Sequence, residues 1–368
     1  MTGTTAAIEG GKAASAEAKQ PVSSSLGDGE PSLAGLTCAR LKVTARIVGG
    51  LRLGPFAGAE LRGGLGHALK RLACTWPVGE CPRCSQRHDC LYTQLFESTP
   101  PPMTTRLRGV DQIPRPYVLV PPADPLGADG REQMGGLGGQ GARYRHGDVF
   151  QFHLLLIGRA VGWAKPVLTA LAALGRNGLG PGGGRYVIER VSSRAPGMAG
   201  EAQTVYARDT GEWCDPAAGP LGRWAPEHWS GARRVQVRFC TPTRVYSEGC
   251  VTRSPAFSEL VRALLRRVSS LAYFHCGRAL ELDFARLVSE ARGVRMRMVQ
   301  TWWQRQSRYS KRQGQHVDMS GLLGRIEYEA ESVEALAPYR DLLAAGSWLH
   351  VGKGTVMGLG KYEVSMAS

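Results

Sequence analysis

The sequence predicts an α+β chain built from two tandem ferredoxin-like domains, each with the RRM-like order β-α-β-β-α-β. Three observations lead there. Apolar residues switch between strand spacing and helix spacing in the same order in both halves. A glycine-rich segment follows the second helix of each half. A chain of 368 residues also suits two domains, at roughly 100–200 residues per domain.

Residues 1–31 are rich in Ala, Gly, Ser and Glu and poor in large apolar side chains, which predicts a disordered tail. The first domain, 32–194, opens with a strand, Leu36 to Val48. A helix follows from Ala59 to Leu72, with Leu61, Leu65, Leu69 and Leu72 on one face. A cysteine-rich insert occupies 74–90. Tyr117 to Val120 reads as a short strand, stopped by Pro121-Pro122. The glycine-rich stretch 126–147 has no periodicity and reads as a loop. Val149 to Ile157 is a buried strand, Trp163 to Leu174 a helix and Arg185 to Val191 a strand.

Residues 195–232 read as a linker. The second domain, 233–368, repeats the pattern. Its strand Arg233 to Cys240 precedes the clearest helix, Phe257 to His275. There Phe257, Leu260, Val261, Leu264, Leu265, Val268 and Leu271 fall at helical spacing. Val294 to Trp303 and Leu322 to Tyr328 read as strands and Val333 to Ala344 as a helix. Trp348 to Val351 reads as the start of a last strand, interrupted by the glycine loop and resumed at Lys361. This class of fold presents an open sheet face of the kind that binds single-stranded RNA.

Lys and Arg number 46 against 31 acids, a formal charge of +15. That charge favours a polyanionic partner, nucleic acid or an anionic surface, over a role in solubility alone. No apolar run is long enough to span a membrane. No basic start with an apolar stretch marks a secretory signal, so the expected location is the cytoplasm. Nine cysteines, four of them crowded together, fit a reduced protein with a local metal site better than a disulfide framework.

The glycine loop runs Gly352-Lys353-Gly354-Thr355-Val356-Met357-Gly358-Leu359-Gly360-Lys361. Glycine lets the backbone approach a ligand, successive N–H groups can cradle an anion, and Lys353 and Lys361 add charge at both ends. It matches neither the nucleotide-binding P-loop spacing nor GxGxxG. Gly352, Lys353, Gly354, Gly358, Gly360 and Lys361 are therefore the expected phosphate-contacting residues. A second basic region lies between Glu290 and Asp318, where no acid occurs. Arg295, Arg297, Arg305, Arg308, Lys311 and Arg312 are interleaved there with Trp302, Trp303 and Tyr309. Strand alternation sets Arg295 and Arg297 on one face, with Val294, Met296 and Met298 on the other. The arginines are read as RNA contacts and one of the two tryptophans as core.

The pattern Trp348-Leu349-His350-Val351-Gly352-Lys353-Gly354, followed by Gly358-Leu359-Gly360-Lys361-Tyr362, resembles the glycine-rich C-terminal signature of the CRISPR-associated endoribonucleases that process precursor CRISPR RNA. Leu61 to Leu69, Leu271 to Gly277, and Arg308 to Gln313 leading into Gly321-Leu322 resemble the same family. The resemblance implies tandem ferredoxin-like domains and an RNA partner, the CRISPR repeat transcript. It also implies metal-independent cleavage that leaves a 2′,3′-cyclic or 3′-phosphate and a 5′-hydroxyl.

Such cleavage needs a base for the attacking 2′-hydroxyl, an acid for the leaving oxygen and a cation for the phosphorane. His67 is the first candidate. It lies off the buried face of its helix, with Lys70 and Arg71 on its side. Gly63, Gly64 and Gly66 leave that helix thin enough for a backbone to approach. The resemblance supports the choice, since the family often places its catalytic histidine on or just after this helix. Lys70 is the candidate cation, and His350, beside the glycine loop, is the second-choice histidine. His275 reads as a helix-end cap.

Cys74, Cys81, Cys84 and Cys90, spaced C-x6-C-x2-C-x5-C, suggest a structural zinc site. His88 is an alternative ligand, an Fe–S cluster is an alternative metal, and free buried cysteines are the plain reading. No cofactor is expected for catalysis. Three functions follow. The first is a guide-RNA endoribonuclease. The second is a noncatalytic RNA-binding scaffold among the subunits of a CRISPR effector complex. The third is a zinc-containing DNA-binding regulator, for which no recognition helix is visible.

Overall fold

The protein is described from a computed structural model covering residues 33–54, 57–75, 81–101, 104, 112–122, 141–196, 201–221, 225–310 and 314–367. The predicted tail 1–31, most of the loop 126–147, and Lys311 and Arg312 lie outside the described residues.

In the first half, β1 (Thr37–Val48) alternates from Ala39 onward. Leu41, Val43, Ala45 and Ile47 are fully buried, while Arg40, Lys42, Thr44 and Arg46 turn to the opposite face. A short β2 (Leu51–Leu53) leads to α1 (Ala57–Ala73), which buries Leu61, Leu65, Ala68 and Leu69. Leu72, expected on that stripe, is 53% exposed in the last turn of the helix. After β3 (Tyr117–Val120) come β4 (Ala142–Tyr144), β5 (Val149–Ile157), α2 (Ala164–Asn177) and β6 (Arg185–Arg194). The antiparallel sheet has the order β3-β5-β1-β6, the ferredoxin-like arrangement.

Three details correct the reading of this half. Residues 142–144 of the glycine-rich stretch form β4, which pairs with β2. The segment 195–232 does more than link, since β7 (Gln203–Ala207) extends the sheet beside β6 and β8 (Gly219–Pro220) pairs with β1. A π-helical turn at Thr93–Glu97 follows the cysteine segment.

The second half repeats the order. β9 (Arg234–Thr243) is followed by a hairpin, β10 (Val245–Ser247) and β11 (Cys250–Thr252). Next come α3 (Phe257–Cys276) and the short α4 (Phe284–Glu290). β12 (Arg295–Gln304) leads into a second hairpin, β13 (Ser307–Ser310) and β14 (Gln315–Asp318), then β15 (Gly321–Glu329). The last helical region is broken into α5 (Val333–Leu336), a 3₁₀ turn and α6 (Arg340–Leu349), before β16 (Tyr362–Ala367). Pro338, which lacks an N–H, marks the break. The sheet order is β12-β15-β9-β16, the same topology as the first.

Trp348 to Val351 is not a strand. α6 continues to Leu349, because Leu342, Leu343, Ala345 and Leu349 keep one buried stripe. His350 then ends the helix with a positive φ of 59°. The alternation expected of β12 also fails. A bulge between Met296 and Met298 displaces Arg297 from the register, leaving Met296 44% exposed.

The two cores interlock. Leu36, Cys38, Val118, Leu155 and Ile157 of the first half pack in the same core as α3, β9 and β15. Val356, from the glycine loop of the second half, is buried in the core of the first, and Met357 packs against it. No helix among the described residues is long and apolar enough to cross a membrane.

Candidate nucleic-acid interface

The glycine loop divides into an outer and an inner part. Gly352 and Lys353 are exposed, and the Lys353 ammonium sits 4.8 Å from the centre of the Tyr246 ring. From Thr355 the chain turns inward through a single 3₁₀ turn, Thr355–Met357. The N–H groups of Met357 and Leu359 donate to the Gly354 carbonyl, and that of Gly358 donates to the Thr355 carbonyl. Gly360 N–H donates to the Pro242 carbonyl and Lys361 N–H to Thr241 Oγ1. Those groups are spent internally.

Gly358 and Gly360 are buried, so they hold the loop in place and do not present it to a ligand. Gly360 has a φ of 71°, and a side chain there would run into the Val351 carbonyl. The surface that remains for an anion is the outer part, Gly352 to Gly354.

The inner part docks on α1. A Cβ at Gly58 would meet the Met357 carbonyl, so the backbones of loop and helix touch there. The same helix carries His67, which is exposed. Nine residues separate Gly58 from His67, about 13 Å along the axis. Lys70 lies one turn beyond, its ammonium 5.5 Å from the centre of the Tyr92 ring. Of the three glycines thought to thin the helix, only Gly63 faces open space. Gly64 is filled by Leu174 of α2 and Gly66 by the Phe96 ring, which accounts for those two by packing.

Two of the other histidines, His350 and His275, are enclosed. His350 is 1% exposed, and its Nδ1 donates to the Leu359 carbonyl at 3.1 Å. Burial pushes its pKa down to about 3, aided by the nearby Arg267, Lys361 and Arg40 charges. It is therefore neutral and structural in the folded protein, tying α6 to the loop. His275 donates from Nε2 to the Pro114 carbonyl at 2.6 Å, and burial pushes its pKa down to about 4. That bond fastens the end of α3 to the segment before β3, a wider role than the local cap expected of it.

Between the two halves lies a cleft of about 390 Å³ whose lining includes Arg40, His153, Trp348, His350 and Lys361. The Arg40 guanidinium stands 5.0 Å from the centre of the Trp348 ring. Burial, then the charges of Arg40, Lys42 and Lys361, push the His153 pKa down to about 4. Lys361 is thus placed in a basic cleft. Sequence reasoning passed over Arg40, Lys42 and His153. Their signal was present, as basic residues at alternate positions of an apolar strand.

The arginines of the second basic region scatter. Arg297 is paired with Glu329 at 2.8 Å and Glu327 at 3.4 Å, and Arg295 reaches Glu331 at 3.9 Å. Arg305 is exposed on the turn into β13, and Arg308 is half-buried on β13 itself. Trp302 is 42% exposed, while Trp303 packs on the core with Arg253 5.6 Å from its ring centre.

The zinc site is not supported. Among the described residues no three His, Cys, Asp or Glu side chains come together to hold a metal. Cys74, Cys81, Cys84 and Cys90 are half-buried free thiols. The segment is held by its own hydrogen bonds instead. Thr93 Oγ1 donates to the Arg87 and Cys90 carbonyls, and Gln94 Nε2 donates to the His88 carbonyl. It docks on α1 through stacked Tyr92 and Phe96 rings, 5.4 Å apart.

Comparison with known proteins agrees with this architecture. Residues 36–217 match a family model described as an N-terminal domain, and residues 237–362 match the CRISPR-associated endoribonuclease Cas6. A protein of Archaeoglobus fulgidus, described as uncharacterized, is 22% identical over 315 residues, covering 85% of this chain and 92% of the relative. A Cas6 product complex, its protein from Thermus thermophilus, superposes with a TM-score of 0.51 at 18% identity, covering 89% of this chain and 100% of that one. A partial Cas6-RT-Cas1–Cas2 complex gives 0.52 at 14% identity, over 92% of this chain and 47% of that one. These likenesses show the tandem ferredoxin-like fold, and the second domain matches the model of the CRISPR-associated endoribonuclease Cas6.

Proposed function

We propose that the protein is a metal-independent endoribonuclease that cuts CRISPR repeat RNA by attack of a 2′-hydroxyl on the adjacent phosphorus, producing guide RNA. One observation carries this reading. The exposed His67 lies about one turn before Lys70 and Arg71 on α1, the helix that receives the glycine loop near its other end. An imidazole can serve as the base or the acid that such a cleavage needs. Adjacent cations can balance the charge that builds on the phosphorane. The buried His275 and His350 cannot reach a substrate, whereas His67 is exposed on the helix that touches the glycine loop.

The test is cleavage of a synthetic repeat RNA by the protein alone, in EDTA. The wild type is expected to cut. His67→Ala is expected to lose roughly 100- to 10,000-fold in rate while binding the RNA as before. Unchanged cleavage by that variant removes His67 from the role, and dependence on added metal overturns the metal-independent mechanism.

A second reading, a noncatalytic RNA-binding scaffold that meets other CRISPR subunits, draws on the burial of Gly358 and Gly360. There the loop serves to lock the halves together. Tight RNA binding without any cleavage by the wild type would select it.

A further inference from the structure

A pair of arginines stands uncompensated on the short ribbon that β2 makes with β4. The register sets Arg52 directly opposite Arg143, between the pairs Leu51–Tyr144 and Leu53–Ala142. Leu51, Leu53 and Ala142 are buried, so both arginine side chains leave the ribbon on its other, exposed face. Residues directly opposite in an antiparallel pair have Cβ atoms about 5 Å apart. Neither arginine side chain has an ion pair or a hydrogen bond among the described residues. The acids of the neighbouring segments are engaged elsewhere. Asp148 accepts the Arg145 N–H, Glu189 pairs with Arg46, and Glu60 accepts the Gly54 N–H with its other carboxylate oxygen buried.

Like charges directly opposite one another destabilise a ladder, and a two-stranded ribbon has little stability to spare. The fold holds this one in place from behind. A Cβ at Gly180 would meet the Arg52 carbonyl at 2.3 Å, and one at Gly184 would meet the Gly50 carbonyl at 2.6 Å, so the backbone of the turn 178–184 lies against β2. Leu51, Leu53 and Ala142 share a core with Val356 of the glycine loop. Arg52 is six residues before Gly58, where that loop touches α1, and His67 lies nine residues further on. The arginine pair and the glycine loop thus belong to one end of α1 and His67 to the other. An anion on the pair would remove the repulsion, and a guanidinium fork matches the geometry of phosphate oxygens.

We propose that Arg52 and Arg143 bind two neighbouring phosphodiesters of the RNA, beyond the glycine-loop end of α1 and apart from the bond that is cut. The assignment rests on the RNA-processing reading above and adds to it a phosphate site in the first domain.

The experiment measures binding of a 2′-O-methylated repeat RNA, which cannot be cut, to the full-length protein over a salt series. Arg52→Ala and Arg143→Ala are each expected to weaken binding about ten-fold. Each should flatten the slope of log K against log salt by about 0.7, the loss of one phosphate contact on a single strand, and the double variant by about 1.4. Arg52→Lys should keep the slope, since it keeps the charge. Arg143→Glu gives the sharper contrast, because it sets opposite charges across the ribbon. It should melt above the wild-type temperature and bind the RNA less well than Arg143→Ala. Inorganic phosphate at matched ionic strength should leave the wild-type melting temperature unchanged, which separates a phosphodiester site from a free-anion site. With wild-type binding intact, three results would each overturn the site: unchanged slopes in the alanine variants, a lower melting temperature for Arg143→Glu, or stabilisation by inorganic phosphate that the alanine variants lose. If the wild type itself fails to bind this RNA, the RNA-processing reading fails, and the phosphate site with it.

Discussion

His275 and His350 set a pH dependence that can be checked on stability. Each is buried and neutral in the folded protein, with a pKa pushed down to about 4 and about 3. In the unfolded chain each returns to an ordinary value of about 6.5. Between these limits the unfolded state binds more protons, so stability is complete above about pH 6.5 and falls as the pH drops below it. The slope is about 1.4 kcal/mol per pH unit for each histidine. Urea melts between pH 7 and pH 4.5 should show this decline. His275→Gln and His350→Asn place an amide donor where each ring N–H stood, so each is expected to remove about half of the two-histidine slope. A midpoint that stays flat across this range would mean that neither residue is held neutral.

At the scale of elements, α1 is a platform with three faces. One packs on the sheet, one receives α2 and the Tyr92–Phe96 pair, and one is open. The glycines tell these faces apart. Gly63 has nothing within 4 Å of where a Cβ would stand, so Gly63→Ala should raise stability by about 0.5–1 kcal/mol through helix propensity. The Cβ of Gly64→Ala would come within 2.5 Å of Leu174, and overpacking of this kind costs about 1–3 kcal/mol. Denaturant melts of the two variants separate them. If RNA runs along the open face, Gly63→Ala should also weaken RNA binding while stabilising the protein. Equal effects of the two substitutions would contradict the assignment of faces.

The elements themselves were legible, because long apolar stripes such as Leu260 to Leu271 and alternations such as Leu41 to Ile47 reflect burial directly. What escaped were features that depend on a partner far along the chain. β7 is a strand because β6 leaves an edge for it, and α6 runs past Gly346 because Leu264 and Tyr362 fill the space there. The same limit applies to the site. The glycine loop and His67 could be picked out locally, but Arg40 gains its meaning only from Trp348 and Lys361, far along the chain. The cysteine spacing fixes which ligands are near in the chain, whereas backbone bonds and the Tyr92–Phe96 stack determine where the thiols sit.

At the scale of the molecule, the chain is two copies of one topology whose two cores each take side chains from the other half. Cys38, Val118, Leu155 and Ile157 of the first sheet lie in the core built around α3, and Val356 of the last loop lies in the core built around α1 and α2. Each half would therefore expose apolar surface if the other were removed. A hydrophobic side chain left in water forfeits roughly 1.5–3 kcal/mol, and a domain is only about 5–15 kcal/mol stable. Losing several such contacts is enough to unfold either half. The expectation is one cooperative transition in calorimetry, with calorimetric and van't Hoff enthalpies in agreement. Fragments 33–232 and 233–367 should lack protected amides when expressed alone. Val356→Asp is the sharper test, because it puts a charge from the second half into the core of the first. It should speed hydrogen exchange in α1 and β5, far from residue 356 in sequence, as well as in β16. Faster exchange confined to β16 and the loop would mean that the halves are stable independently. The glycine loop would then be free to serve RNA alone.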